Sequence, residues 1–308
     1  MVSEPEEARF RSIFRQIHAE HPNCLRDEWL TTSCEQRDGT PSPRPVVWSR
    51  RNGPWQQSDL LFIGAAPGNA GGKGSGELGA HATRIPFGGD IAGANLDVLL
   101  SSIGLDRNRA FITASFNQLP ATGGGEPTYA ELAAPVGDYP SSIHIVRDTI
   151  IAVGPRLLVA LGNVALRVTI AAARVEEHGL RPPSIAQIQR LGLHRNQVNE
   201  WPAALAPDIK FIERVRAAWH TPLPPILWLT HPSAQNMSPY ARRETLFHLR
   251  MIEARNALRQ AVHSTLGWSA PDPRPDPPNH GIYALPEWRA LVGPRHDDLN
   301  RRWREQGV

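Results

Sequence analysis

The sequence predicts a three-layer α/β/α fold built on a short, mainly parallel four-stranded sheet. Four short apolar runs carry the prediction: Leu60–Ile63, Ala110–Thr113, Leu157–Leu161 and Ile226–Leu229. They are continuous rather than alternating, as strands buried on both faces are. Helical patterns separate them, and strand and helix signals in alternation argue for a parallel sheet covered on both faces. The first and last runs lead straight into Gly64-Ala65-Ala66-Pro67-Gly68 and Thr230-His231-Pro232-Ser233. A ligand site is therefore expected beyond the carboxyl ends of the strands.

Each element has its own local reason. Ser3 stands three positions before Glu6, a capping-box spacing, and Phe10, Ile13, Phe14 and Ile17 repeat at helical intervals, predicting an amphipathic helix over 3–20. A polar, proline-marked stretch (39–57) precedes the first strand, and a glycine-rich segment follows it to Gly79. A helix starts at Ile91 and stops at Gly104. Further helices are expected over 142–153, over 163–173 after Gly162, and over 239–262, where arginines are frequent. Residues 174–223 separate the third and fourth strands by more than a crossover needs and read as an insertion. The expected organisation is an N-terminal helix and extension (1–57), an α/β domain (58–262) carrying that insertion, and a tail (263–308). The tail combines a proline-rich spacer around 270–278 with a terminal helix bearing Arg301, Arg302, Trp303 and Arg304.

Composition removes several function classes. Hydrophobic residues are 41% of the 308, with no run approaching the roughly 20 apolar residues of a membrane span. The start, MVSEPEEARF, is acidic and polar where a signal peptide is basic and then apolar, so a soluble cytoplasmic protein is expected. Cys24 and Cys34 are the only cysteines, which excludes a disulfide framework and any four-cysteine metal or iron–sulfur site from this chain alone. Arginine supplies 31 of the 33 basic residues, the lysines being Lys73 and Lys210, and the net charge is +3. Such a chain is compatible with nucleic acid without requiring it, because the guanidinium fork suits phosphate.

Three apparent motifs fail on context. Gly74, Gly76 and Gly79 satisfy G-x-G-x-x-G but begin some ten residues after the strand and run into Arg84-Ile85-Pro86 instead of a helix. Gly72-Lys73 resembles the end of a phosphate loop, yet Pro67 stands where the first glycine belongs and Gly74 where Ser or Thr must hold magnesium. Cys24 and Cys34 with His18 and His21 match no usual zinc spacing, and a solvated helix face accounts for the histidines. No metal is expected.

The informative constellation is distributed: Gly64-Ala65-Ala66-Pro67-Gly68, then Ile85-Pro86-Phe87-Gly88-Gly89-Asp90, then Ile112-Thr113-Ala114, then Thr230-His231-Pro232-Ser233. In order and placement these segments resemble the uracil-DNA glycosylase superfamily, and within it look most like family 5, the type B enzymes. The resemblance covers roughly 58–173 and 224–262. It implies cleavage of an N-glycosidic bond on a flipped nucleotide. A flipped base needs a flat apolar partner and closely approaching backbone; Phe87 and the Ala66-Pro67-Gly68 loop suit these needs. His231 resembles the motif histidine that contacts the base carbonyl. Asp90 matches the aspartate of Pro-Phe-x-Gly-Asp and is the candidate for orienting water, although its place before a helix also suits an N-cap.

Departures from the family patterns bear on substrate. Ala65 replaces the glutamate of the family 4 Gly-Glu-Ala-Pro-Gly, and with two cysteines and Gln118 near one expected ligand position no family 4 cluster forms. Ala114 occupies the position where uracil-selective enzymes commonly carry asparagine, whose amide complements the uracil pairing edge; alanine has no polar group. Asn117 is a substitute candidate. Thr122-Gly123-Gly124-Gly125 leaves space where family 5 members tend to carry an asparagine, so a bulky modified base, such as a viral hypermodified cytosine, suits the pocket and an antiviral role follows as one expectation.

The resemblance implies that the loop Ser233-Ala234-Gln235-Asn236-Met237 enters the duplex, with Gln235 or Met237 as a wedge, Ser233 bonding a phosphate and Asn236 a further DNA-binding residue, while Arg242 and Arg243 reach phosphate. No lysine lies among the motifs, which disfavours a Schiff-base lyase step. The expectation is a monofunctional DNA glycosylase acting as a monomer on DNA, without cofactor. A non-catalytic lesion-binding module on the same fold is the main alternative, and a nucleotide-dependent enzyme a remote one.

Overall fold

The computed structural model describes residues 4–17, 58–66, 87, 91–105, 111–117, 120, 126–220, 222–233, 236–237, 246–269, 298, 301–302 and 305. In chain order the elements are α1 (Glu4–Ile17), β1 (Leu60–Gly64), α2 (Ile91–Ser101), β2 (Phe111–Ala114), α3 (Tyr129–Ala133) and α4 (Ser142–Val153). They continue with β3 (Leu157–Leu161), α5 (Asn163–Ala172), α6 (Val175–His178), α7 (Ile185–Arg190), β4 (Val198–Asn199), α8 (Ile209–Trp219), β5 (Ile226–Leu229) and α9 (Leu246–Leu266).

The sheet runs β2-β1-β3-β5-β4. β1 pairs with β2 and with β3, and β3 with β5, all in parallel; each of these four strands is buried along its whole length. Burial on both faces is why they read as unbroken apolar runs. Alternate residues feed two separate cores. Leu61, Ile63, Phe111, Leu158, Ala160 and Trp228 pack with helices α1, α4, α5 and α8, whereas Leu60, Phe62, Ile112, Val159 and Leu229 pack with α2 and α9. The result is a sheet between two helical layers, and at about 25 cal/mol per Å² of apolar surface this burial is the main force holding it.

The expectation of four strands is corrected to five. β4 belongs to the insertion and pairs antiparallel with β5, Val198 opposite Leu227 and Asn199 opposite Ile226. Two residues carry no periodicity to read; pairing with the edge of β5 and the side chain of Asn199 make this strand. The Asn199 amide donates to the carbonyls of His194 (3.0 Å) and Gln197 (2.8 Å), and its oxygen accepts from His194 N–H (2.8 Å). The insertion also buries Ile188, Leu193, Leu205, Phe211 and Val215 in the same core as α4 and α5.

Helix ends agree with local signals. Ser141 caps α4, its hydroxyl accepting from His144 N–H, and Thr128 and Glu131 form a capping box on α3. α1 buries Phe10, Ile13 and Ile17, with the Phe10 ring 5.6 Å from that of Phe111. Residues 239–245 of the expected arginine-bearing helix, the glycine-rich segment, both cysteines and the proline-rich spacer lie outside the described residues. In the tail, Arg301 and Arg302 bind Asp298 across one helical turn. Among the described residues no helix is long and apolar enough to cross a membrane.

Candidate active site

Parallel strands end on one edge of the sheet, and the chain beyond each end is drawn together by backbone bonds. Ser115 N–H and its hydroxyl both donate to Gly64 O (2.8 and 2.7 Å), and Phe116 N–H donates to Ala65 O (2.9 Å). These bonds extend the β1–β2 pairing past the strands and set Ala65 and Ala66 beside Ala114–Asn117. On the other side, Gly162 N–H donates to Leu229 O (2.9 Å), joining the end of β3 to the end of β5 where His231 follows.

The two distant motif segments meet at this edge. The Phe87 ring lies 5.7 Å, centroid to centroid, from the His231 imidazole, the planes tilted by 37°. Phe87 has φ of 58°, a left-handed conformation uncommon for a bulky residue and a form of strain that collects at functional sites. Its ring rests on Gly64: a β-carbon there would lie 2.6 Å from Cε2 and 2.7 Å from Cζ. Glycine at the end of β1 is thus what lets the ring lie across the strand end.

His231 is held in a defined tautomer. The backbone N–H of Ser233 donates to its Nδ1 at 3.2 Å, so Nδ1 is the unprotonated nitrogen and the neutral ring carries its proton on Nε2. The ring is therefore set up as a hydrogen-bond donor through Nε2. The loop itself is clamped from α2. Asn95, wholly buried, donates through Nδ2 to Pro232 O (2.7 Å) and Met237 O (3.1 Å), bridging both ends of the turn. Within it, Asn236 and Met237 N–H groups return to Ser233 O (3.0 and 2.8 Å), and Asn236 Nδ2 donates to Ser233 Oγ (3.1 Å).

This arrangement joins two sequence segments, Phe87 and His231, that belong to separate motifs, at the carboxyl ends of parallel strands. A family model described as the uracil DNA glycosylase superfamily matches residues 51–255. The chain belongs to the uracil DNA glycosylase superfamily. Its members are in general DNA glycosylases, hydrolases of N-glycosidic bonds. No curated protein matches the chain.

The site residues expected from the sequence divide between those the structure describes and those outside the described residues. Phe87, His231, Ser233 and Asn236 stand at or beside the junction just described, and Ala66 and Ala114 at the adjoining ends of β1 and β2. Asn117 is fully enclosed, and Ala114 is 6% exposed. Met237 requires a correction: it was expected as a wedge into DNA, but it is wholly buried in the core between the sheet and α9, where its apolar side chain is worth more than at a surface. Gly68, Asp90, Gln235, Arg242 and Arg243 lie outside the described residues.

Two residues that shape this junction escaped the sequence reading. Asn95 is a polar residue inside the otherwise apolar IAGANLDVLLS, a signal that was present but unread. Gly162 has φ of +93° and abuts His231, a contact that only the fold reveals. In the insertion, Glu177, His178 and Asp208 each bring one ligand atom within 4.8 Å of the others. Asp208 there accepts from Glu177 N–H (2.9 Å) and Glu177 from Ile209 N–H (3.3 Å), so the pair already serves the start of α8.

Proposed function

We propose that this superfamily member is a monofunctional, family 5-like DNA glycosylase that hydrolyses a damaged or modified base from DNA and leaves an abasic site. The observation that carries the reading is the Phe87–His231 pair: an aromatic face and a donor-oriented imidazole within 5.7 Å of each other at the strand ends. The chemistry needs both. The flipped base stacks on Phe87, and Nε2–H of His231 donates to its carbonyl as the glycosidic electron pair departs with the base. Asp90 orients the water that adds to the sugar carbon. Ser233 and Asn236 meet the backbone, and Gln235 remains the candidate wedge, with Arg242 and Arg243 on phosphate.

Ala114, with the glycines at 123–125, supports a pocket that does not read the uracil edge and admits a larger base, including hypermodified cytosines; an antiviral role is the corresponding biological reading. The lack of a polar side chain at Ala65 and Ala114 favours one second reading, a lesion-binding module without catalysis. Purified protein incubated with DNAs carrying uracil, hypoxanthine, xanthine or glucosylated hydroxymethylcytosine, with freed bases identified by mass spectrometry, separates them. Release of a base that disappears in His231→Ala supports the enzyme. Binding without release of any base, unchanged in that variant, supports the module.

A further inference from the structure

We propose that Arg195, supplied by the 174–223 insertion, grips the DNA backbone beside the His231 end of the sheet; the inference rests on the glycosylase reading and gives the insertion a task within it. The antiparallel pairing of β4 with β5 brings the residues just before β4 to the carboxyl end of β5. Two bonds lock them there: Asn196 N–H donates to Trp228 O at 2.6 Å, and Thr230 N–H donates to Asn196 Oδ1 at 3.4 Å. Asn196 takes φ of 59°, a left-handed turn that asparagine tolerates better than most residues. Thr230 immediately precedes His231, so the insertion is tied to the residue next to the motif histidine.

Arg195 is placed by the same turn. Its guanidinium lies 5.0 Å from the centre of the Trp228 ring and donates to Asn163 Oδ1 at 3.1 Å. Asn163 follows Gly162, where an added β-carbon would collide with His231. The cation is thus attached to β5 through Trp228 and to the start of α5, just beyond β3, through Asn163. It is exposed, and among the described residues no carboxylate pairs with it. A guanidinium has five N–H donors and Asn163 takes one. The contact with the indole and the bond to Asn163 hold the guanidinium in place, which lowers the ordering cost of a bidentate bond to phosphate. A purely structural cover for Trp228 would need the long side chain and not its charge, and this difference is what the experiment reads.

Affinity for a fluorescein-labelled duplex containing one tetrahydrofuran abasic analogue is measured by anisotropy across a salt series for wild type, Arg195→Met, Arg195→Ala and Arg195→Lys, alongside melting temperature. Met retains the packing stem without charge. Removing one phosphate contact is expected to weaken binding about five- to tenfold near 0.1 M salt and to reduce the slope of log affinity against log salt by about 0.9 in the Met and Ala variants. Lys is expected to restore the slope while recovering only part of the affinity. Wild-type affinity and slope in Arg195→Met overturns the proposal and leaves the glycosylase reading standing, as does weaker binding with an unchanged slope. A wild-type chain that binds no DNA overturns both.

Discussion

Gly162 presses directly on His231: a β-carbon built on the glycine would lie 2.9 Å from the histidine Cβ and 3.4 Å from Cδ2. The same glycine has φ of +93° and donates its N–H to Leu229 O at 2.9 Å. The end of β3 therefore sets where the chain beyond β5 places its imidazole. Any side chain at 162 meets two obstacles at once, a disfavoured backbone and a collision.

Gly162→Ala is accordingly expected to lose about 1–3 kcal/mol of stability, the cost of a non-glycine residue in a sparsely populated conformation, and to displace His231. Urea unfolding reads the first effect and base release the second. A variant as stable and active as wild type contradicts the contact.

Gly64→Ala separates site geometry from folding. The atoms in its way are the outer edge of the Phe87 ring, a side chain able to swing aside, and Gly64 has no positive φ to lose. Melting temperature should change little, while base release should fall by about a hundredfold if a displaced ring misplaces the base by an ångström or so. Full activity in a folded Gly64→Ala protein removes Phe87 from the proposed mechanism.

Asn95→Ala takes the donor from Pro232 O and Met237 O in a buried setting, a loss of about 1–3 kcal/mol for an acceptor left unsatisfied. Asn95→Asp should be worse, because an ionised carboxylate offers no donor to either carbonyl. Faster amide exchange at Ser233–Met237 than at β5 is the local signature to look for. Uniform exchange across both segments would argue that the clamp does nothing particular to this loop.

Among the described residues, His144 is an assignable contributor to the pH dependence of stability near neutrality. Burial first, then the charge of Arg147, holds His144 below the usual 6.5, and its Nδ1 lies 2.8 Å from Ser141 Oγ at the start of α4. The unfolded chain thus binds this proton more readily than the folded one. Its contribution is present above 6.5 and is lost as pH falls through the lowered folded value. Chemical unfolding from pH 7.5 to pH 5 should show stability declining, with a shallower decline in His144→Gln; equal slopes assign the effect to other groups.

The legible parts of this protein were those whose cause is local. Four strands were visible as continuous apolar runs because both faces are buried, and α4 and α5 because helical spacing acts over a few residues. β4 was invisible because two residues have no pattern of their own. Met237 was misread because a flexible apolar side chain after a motif histidine fits a wedge as well as a core; only the packing of α9 against the sheet distinguishes the two. Asn95 was overlooked because a helix prediction uses the apolar residues and passes over the polar one among them.

Apolar runs alternating with helical patterns were enough for the fold class, and the order of motifs for a resemblance to the superfamily, since both are written along the chain. The meeting of Phe87 with His231, the tautomer imposed by Ser233, the pressure of Gly162 and the arrival of Arg195 from an insertion are properties of the folded sheet. Strand order and long-range backbone bonds bring these groups together, and such contacts join residues whose local sequences carry no trace of one another.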